Sequence, residues 1–249
     1  MENKTNDKIF GRNAVLEALA ANRQIDKLYL QDSLRGGDIA KIKSLAAERK
    51  ISFTFVPRAK LDELSSGGAH QGAVAIVSAH DYVTVDEILE YAAQKGEAPF
   101  IVIAENLSDP HNLGSIIRTV NACGAHGVII PKNRSVSLNS TVAKTSAGAA
   151  EYTRVARVTN IARTIELLKE KGIWVVGTDR SATQYHFECD LSGPVAVIIG
   201  SESDGISRLT REHCDFLVKI PMLGEIQSLN ASVAAGVLLY EIVRRRMNK

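Results

Sequence analysis

Three segments of this 249-residue chain combine glycine with side chains that can bind, orient or move protons, and each ends an apolar run. ENLSDPHNLGS (105–115) continues from FIVIAEN, GSESDGIS (200–207) from VAVIIG, and PMLGEIQSLNAS (221–232) from FLVKI. Together they supply a carboxylate (Glu202), two amides (Asn112 and Asn230) and a hydroxyl (Ser228), and the helix entered from the first adds a guanidinium (Arg118). Amides and carboxylates orient hydroxyl groups, and arginine binds phosphate. Each residue also has an ordinary explanation, because Gly, Ser, Asp and Asn are what turns and helix starts use. In NLGSIIRTVNACG, Ile116, Ile117, Val120 and Cys123 have the spacing of a core-facing helix. Asn112 then serves as its cap, Gly114 lets the backbone turn, and Arg118 lies on a solvated flank. Ser228 and Asn230 are equally good caps for the last helix. The recurrence is harder to dismiss, since three polar ends of buried strands can meet on one edge of a sheet.

Other chemistries are excluded by pattern. A dinucleotide-binding turn needs G-x-G-x-x-G, but the first loop reads DPHNLGS, and Gly200 and Gly205 lack the middle glycine. No G-x-x-x-x-G-K-[ST] phosphate loop and no G-x-S-x-G nucleophile elbow occur. The six histidines show no metal-ligand spacing, and His111, in the first loop and beside the site, is the one of interest. Cys123, Cys189 and Cys214 are odd in number, far apart and without a C-x-x-C pair. They fit neither a disulfide scaffold nor a zinc site, and they suit a reducing compartment. No metal is expected.

The elements that must position these loops fall into two groups. From Ile9 to about Ser78, helical segments (NAVLEALAA, GDIAKIKSLAAERK, RAKLDELSS) alternate with strands (IDKLYLQ, ISFTFVP, GAVAIVS), as in a small α/β sandwich. VDEILEYAAQKGEAP reads as a helix and connector, with Gly96 and Pro99 as breakers. Beyond it, the strands FIVIAEN, GVIIP, IWVVGTD, VAVIIG and FLVKI are joined by helices at 113–123, STVAKTSAGAA, IARTIELLKEKG and after Ser207, and a long helix from about Ser228 follows. Continuous Val/Ile runs joined by helices imply a parallel sheet covered on both faces, with ligands at the carboxyl ends of its strands.

Composition narrows the setting. Thirty Lys and Arg against 28 Asp and Glu leave a net charge of +2, so any nucleic-acid contact comes from local patches. The polar start MENKTNDKIF is no secretory signal, and ASVAAGVLLYEIV is too short to span a bilayer and is interrupted by Glu241, so a cytoplasmic protein is expected.

Read together, the three loops resemble the signature motifs of the SpoU (TrmH) family of RNA ribose methyltransferases, within the SPOUT class. NLGSIIRTVNACG matches the first motif, IIGSESDGI the second and IPMLGEIQSLNASVAAG the third, in order, over roughly residues 99–249. The N-terminal part, from FGRNAVLEAL to HQGAVA, resembles the family's ribosomal-protein-L30-like RNA-binding domain. The two-part layout is similar to the RlmB branch, which methylates a guanosine ribose of large-subunit (23S) ribosomal RNA. The resemblance implies an α/β protein: an RNA-binding domain over 1–78, a linker over 79–98, and over 99–249 a knotted SPOUT domain with a parallel sheet, whose C-terminal chain threads a loop that ordinary folds avoid.

It also implies S-adenosyl-L-methionine as cofactor, held against Thr178, Gly200, Ile220 and Leu229, with Gly177 nearby. Ile220 and Leu229 can wall a thin apolar slot for adenine. Asn112, Arg118, Glu202, Ser228 and Asn230 become the catalytic set. The family's motif-one arginine, here Arg118, is proposed as the base. A guanidinium keeps its proton in proteins, so the narrower role is to bind the phosphate beside the target and stabilise the developing alkoxide. The other four then orient Arg118, the ribose and the cofactor. The apolar surface of SVAAGVLLYEIVRRR, with the family's habit of pairing there, implies a homodimer. Arg12, Arg35, Arg58 and Lys60 lie near N-terminal element ends, where they can grip RNA phosphates. Two other readings stay open: the same reaction on tRNA or another ribosomal site, and a non-catalytic RNA-binding protein.

Overall fold

Apolar residues spaced by two along IDKLYLQ and GAVAIVS need a covered sheet face, and amphipathic helices supply the cover. The computed structural model describes residues 7–32, 34 and 36–248, in two units. The first comprises the chain through Asp81 with Leu138–Ser140, the second Tyr82–Ser137 and the chain from Thr141 onward.

The first unit runs β1 (Lys8–Phe10), α1 (Arg12–Ala20), β2 (Ile25–Gln31), α2 (Gly37–Glu48), β3 (Phe53–Val56), α3 (Arg58–Leu64) and β4 (Ala73–Val77). Its sheet has the order β1-β4-β2-β3, with β4 antiparallel to β1 and β2, and β2 parallel to β3. Leu28 and Leu30 of β2 form a core with Ala73, Ala75 and Val77 of β4, Val15 and Leu19 of α1, and Ile39, Ile42 and Ala46 of α2. Fully burying one such Leu or Ile stabilises by about 1.5–3 kcal/mol, which fixes which face of each element turns inward. Of the basic groups expected to meet phosphate, Arg12 donates from Nε to the Gln71 carbonyl at 2.9 Å. Lys60 pairs with Glu63 at 2.8 Å, and Arg58 lies 3.9 Å from Asp62. Such exposed pairs are worth about 0–1 kcal/mol and give way easily to a phosphate. Arg35 lies outside the described residues.

The second unit begins with α4 (Val85–Gln94), in the segment expected to be a linker. A reciprocal capping box between Thr84 and Glu87 starts this helix, and Val85 and Ile88 are buried in the second unit's core. There follow β5 (Phe100–Ala104), α5 (Pro110–Ala122), β6 (Gly127–Pro131), α6 (Ser140–Thr145), β7 (Val155–Val158), α7 (Ile161–Glu170), β8 (Trp174–Thr178) and β9 (Gln184–Tyr185). The chain ends with β10 (Val195–Ile199), α8 (Arg208–His213), β11 (Phe216–Lys219) and α9 (Ala231–Met247). The sheet order is β7-β6-β5-β10-β8-β11-β9 and every pairing is parallel. All five residues of β5 and of β10 are buried, as continuous apolar runs demand. Ile161, Ile165 and Leu168 of α7 join α4 over Ile101, Ile103, Ala196 and Ile198, while α5 and α9 pack on each other and on β6 and β10.

Three element boundaries differ from the sequence reading. The helix expected from 113 starts at Pro110. The stretch STVAKTSAGAA is α6 followed by a 3-10 turn at Ala149–Glu151, because Ala147 and Gly148 take φ of 50° and 85°. The last helix starts at Ala231 and is capped by Asn230, so Ser228 lies outside it. Among the described residues, no helix is long and apolar enough to cross a membrane.

Along α9, Ala235, Leu238, Leu239 and Ile242 are buried, whereas Val233, Val237 and Tyr240 leave a partly exposed stripe at 51%, 37% and 51%. Glu241, which interrupts the apolar run, accepts from Arg244 and Arg245 at 2.7–2.8 Å. The Arg244 hydrogen bonds, joined by Arg245 and opposed by burial, hold its carboxyl down at about 2.

Candidate active site

The sheet order explains the site. Strands β5, β10, β8 and β11 are consecutive neighbours running the same way, so the segments leaving them emerge side by side on one edge. The first, second and third polar loops leave β5, β10 and β11, and a fourth, beginning at Asp179, leaves β8.

Helix α5 is capped by Asp109, whose carboxylate accepts from His111 N at 2.9 Å, with Pro110 at its first position. Asn112 therefore sits inside the first turn, 6% exposed, and does not act as the cap. Its Nδ2 donates to Glu202 Oε1 at 2.9 Å, and its Oδ1 accepts from Asn230 Nδ2 at 2.9 Å. Asn230 Nδ2 also donates to Glu202 Oε1, and Ala231 N reaches the same oxygen at 3.3 Å. The amide orientation of Asn230 is fixed by its capping role, since Oδ1 accepts from Ser232 N at 2.9 Å. One carboxylate oxygen thus gathers donors from the first and third loops while belonging to the second. Charge-assisted hydrogen bonds of this kind are roughly twice as strong as neutral ones.

Both ends of the second loop are pinned. A Cβ on Gly200 would stand 2.1 Å from Gly205 C and 2.3 Å from Gly205 O. Ser201 and Gly205 exchange backbone bonds of 3.1 and 2.9 Å, which closes the loop on itself. Gly200 is therefore required by the loop's own backbone. At the far end Glu105, 5% exposed, accepts from Ser207 N at 3.0 Å and from Thr210 Oγ1 at 2.7 Å, tying β5 to the start of α8. Gly114, expected to let the chain turn, is instead a mid-helix contact, where a Cβ would stand 2.7 Å from Thr145 Cβ and 3.0 Å from Val142 O of α6.

Between the second loop, the third loop and the segment leaving β8 lies a cleft of about 730 Å³, within the range that holds small-molecule ligands. Ile199, Val218, Ile220, Leu229 and Ala234 give it apolar walls, and Thr178 and Ser228 add hydroxyls. Glu202 and Asp204 bring negative charge, and Arg180, Arg211 and Lys219 positive charge. Arg211 Nε lies 2.5 Å from Asp179 Oδ2 as an ion pair rather than an aligned hydrogen bond. Burial pushes the Asp179 carboxyl up, but the Ser181 hydrogen bonds and the charges of Arg211 and Arg180 outweigh it and hold it below the usual range. Among the described residues, no group of three or more His, Cys, Asp or Glu side chains could hold a metal ion.

The candidate residues divide by position. Thr178, Gly200, Glu202, Ile220, Ser228 and Leu229 line the cleft, and Asn112 and Asn230 sit behind it, bonded to Glu202. Thr178 Oγ1 donates to Ile198 O at 3.0 Å. Gly177 is not a lining residue, and the place of its absent Cβ is within 2.7 Å of Cys214 Sγ. Arg118 is exposed on α5, outside the lining, with no polar partner among the described residues. His111 is exposed with Nδ1 3.2 Å from Thr145 Oγ1. Sequence reasoning missed Glu105, Asp179 and Arg211, although the segment TDRS leaving β8 is as polar as the three loops it singled out.

Comparison with known proteins gives a consistent result. Residues 99–240 match the SpoU rRNA Methylase family, and residues 8–83 match a domain described as RNA 2′-O ribose methyltransferase substrate binding. YacO of Bacillus subtilis (strain 168), whose name assigns it to the TrmH family of tRNA/rRNA methyltransferases, is 50% identical over 240 residues, 96% of each chain. Among solved structures, the SpoU methyltransferase AviRb from Streptomyces viridochromogenes, in complex with the cofactor AdoMet, superposes with a TM-score of 0.62 at 25% identity. That match covers 97% of this chain and 91% of AviRb. The TrmH/SpoU tRNA modifying enzyme of A. aeolicus superposes with a TM-score of 0.57 at 30% identity, over 61% of this chain and 77% of its own.

Proposed function

The chain belongs to the SpoU rRNA methylase family of RNA methyltransferases, and from that premise we propose that its cleft binds S-adenosylmethionine and that it methylates a ribose 2′-hydroxyl of a 23S ribosomal RNA guanosine. The observation that carries the reading is the convergence of three separate loops on Glu202 Oε1 at the rim of the cleft. The lining fits the cofactor, with apolar walls for adenine, Glu202 and Asp204 for the ammonium and sulfonium charges, and Arg211 for its carboxylate.

When bound, that cofactor supplies a methyl group activated by a sulfonium. The protein's task is then in-line placement, exclusion of water and management of charge on the ribose oxygen. Asn112, Glu202 and Asn230 form one rigid unit that fixes the wall beside the reacting groups. Arg118, exposed and without a polar partner among the described residues, is the cation that holds the adjoining phosphate and stabilises the developing alkoxide. Ser228, in the lining, orients the ribose or the amino-acid end of the cofactor. The first unit chooses the RNA, supported by the match over residues 8–83 and by its local basic groups. The proposal extends to a threaded C-terminal chain, supported by the insertion of β10 between β5 and β8, and to work in the cytoplasm.

The test is a calorimetric titration with S-adenosylmethionine, together with mass mapping of ribose methylation in RNA from cells with and without the gene. Saturable binding and the loss of one 23S guanosine methylation are expected. A missing tRNA methylation would move the target, and no binding would overturn the reading.

The stripe Val233, Val237 and Tyr240 has the i, i+4, i+7 spacing of one helix face and leaves apolar surface uncovered. We propose a homodimer paired through it. Light scattering is expected to give twice the chain mass, and the Val237→Glu, Tyr240→Glu double variant half of that. A wild-type monomer at micromolar concentration would overturn the pairing.

A further inference from the structure

The cleft continues past the residues assigned to the cofactor, toward the edge of the sheet. There Tyr185 of β9 and Lys219 of β11, partners in the parallel ladder, both belong to its lining. The Tyr185 ring is stacked on Phe187, with centroids 5.3 Å apart and planes 11° from parallel. Lys219 Nζ lies 5.0 Å from the Tyr185 ring centroid. Phe187 is 46% exposed, and Arg180, also exposed, lines the same cleft. The nearby carboxylates are committed elsewhere: Glu188 accepts from Tyr185 N at 2.7 Å, and Asp179 is paired with Arg211 and Ser181. His186, between the two rings in sequence, is buried at 8% and its N donates to Lys219 O at 3.0 Å, so the backbone under the aromatic pair is anchored to β11.

A stacked aromatic pair flanked by two cations is an uneconomical way to close a sheet edge. It is well suited to nucleic acid, because every base has a flat face and every linkage a negative charge. We propose that Phe187, Tyr185, Lys219 and Arg180 form a platform for single-stranded RNA, on which a base next to the methylated nucleotide stacks while the cations hold its phosphates. The inference rests on the RNA-methylating role above and names where the strand runs as it leaves the cleft. Phe187 is half exposed, and its hydrogen bond with α9 is made by its backbone carbonyl, which accepts from Arg245, so truncating the ring leaves that bond in place.

The test uses the full-length chain, S-adenosylmethionine and a single-stranded RNA oligonucleotide carrying the mapped site. Phe187→Ala is expected to weaken oligonucleotide binding and raise its KM about tenfold, with little change in kcat and none in cofactor affinity. Phe187→Trp should restore it. Lys219→Gln should lower the salt dependence of RNA binding by about one ion. An unchanged RNA affinity in Phe187→Ala overturns the platform. So does a weakened cofactor affinity, which would give the rings to the cofactor pocket, or a change in oligomeric state, which would give Phe187 to a second copy of the chain. If the wild-type protein binds no cofactor and transfers no methyl group, the functional reading fails, and RNA binding by the variants without cofactor still decides the platform.

Discussion

Arg118→Ala is expected to lower methyl transfer by about a hundredfold or more, the usual loss when a group stabilising developing charge is removed. The same variant should melt with the wild type, because the side chain is exposed and makes no polar contact among the described residues. That separation of effects makes the experiment decisive. Single-turnover transfer and a melting curve on the same preparation suffice, and near wild-type turnover would return Arg118 to a solvated flank. Asn112→Ala should behave differently. It removes a buried amide that both donates to Glu202 and accepts from Asn230, so lost transfer should come with about 1–3 kcal/mol of lost stability from the partners left unsatisfied.

Gly200→Ala is expected to weaken cofactor binding strongly. Overpacking that a core can absorb costs about 1–3 kcal/mol, but here the added carbon would stand 2.1 Å from a backbone atom of Gly205. Backbone cannot rotate aside as a side chain can. The loop is held at one end by β10 and at the other by Glu105 on Ser207 N, so it must buckle between them and carry Glu202 with it. Cofactor affinity measured by calorimetry should fall at least about tenfold, equivalent to about 1.4 kcal/mol. An alanine variant with wild-type affinity would show that the loop's tight closure has no bearing on the cleft.

Much of the arrangement was legible in the residues themselves. The runs FIVIA and VAVII announce buried parallel strands because they are short, rich in Val and Ile and apolar on both faces, and polar loops follow each of them. The cap of α5 was misplaced because both Asp109 and Asn112 are good caps, and Asp-Pro, which places Pro110 at the first helical position, was the signal to prefer. The three-residue β1 and the two-residue β9 are too short to show any periodicity and exist only through their neighbours. Glu105 was illegible for another reason. A carboxylate beside a strand reads as solvated, and only the folded chain reveals that Ser207 and Thr210, more than a hundred residues later, bury it.

Glu202 Oε1 gathers donors from residues 90 and 28 positions away in the chain, and Asn112 and Asn230, which meet at it, are 118 positions apart. Contacts of such long range form late, since the intervening chain must be ordered before they are rewarded. On a ribosome, a nascent chain that has already completed β5 and α5 still has no wall for the cleft until Asn230 has emerged and α9 has begun. The protein therefore cannot capture cofactor as a half-made chain, and pulse-labelled intermediates halted before residue 230 should be inert toward it however well their sheet has formed.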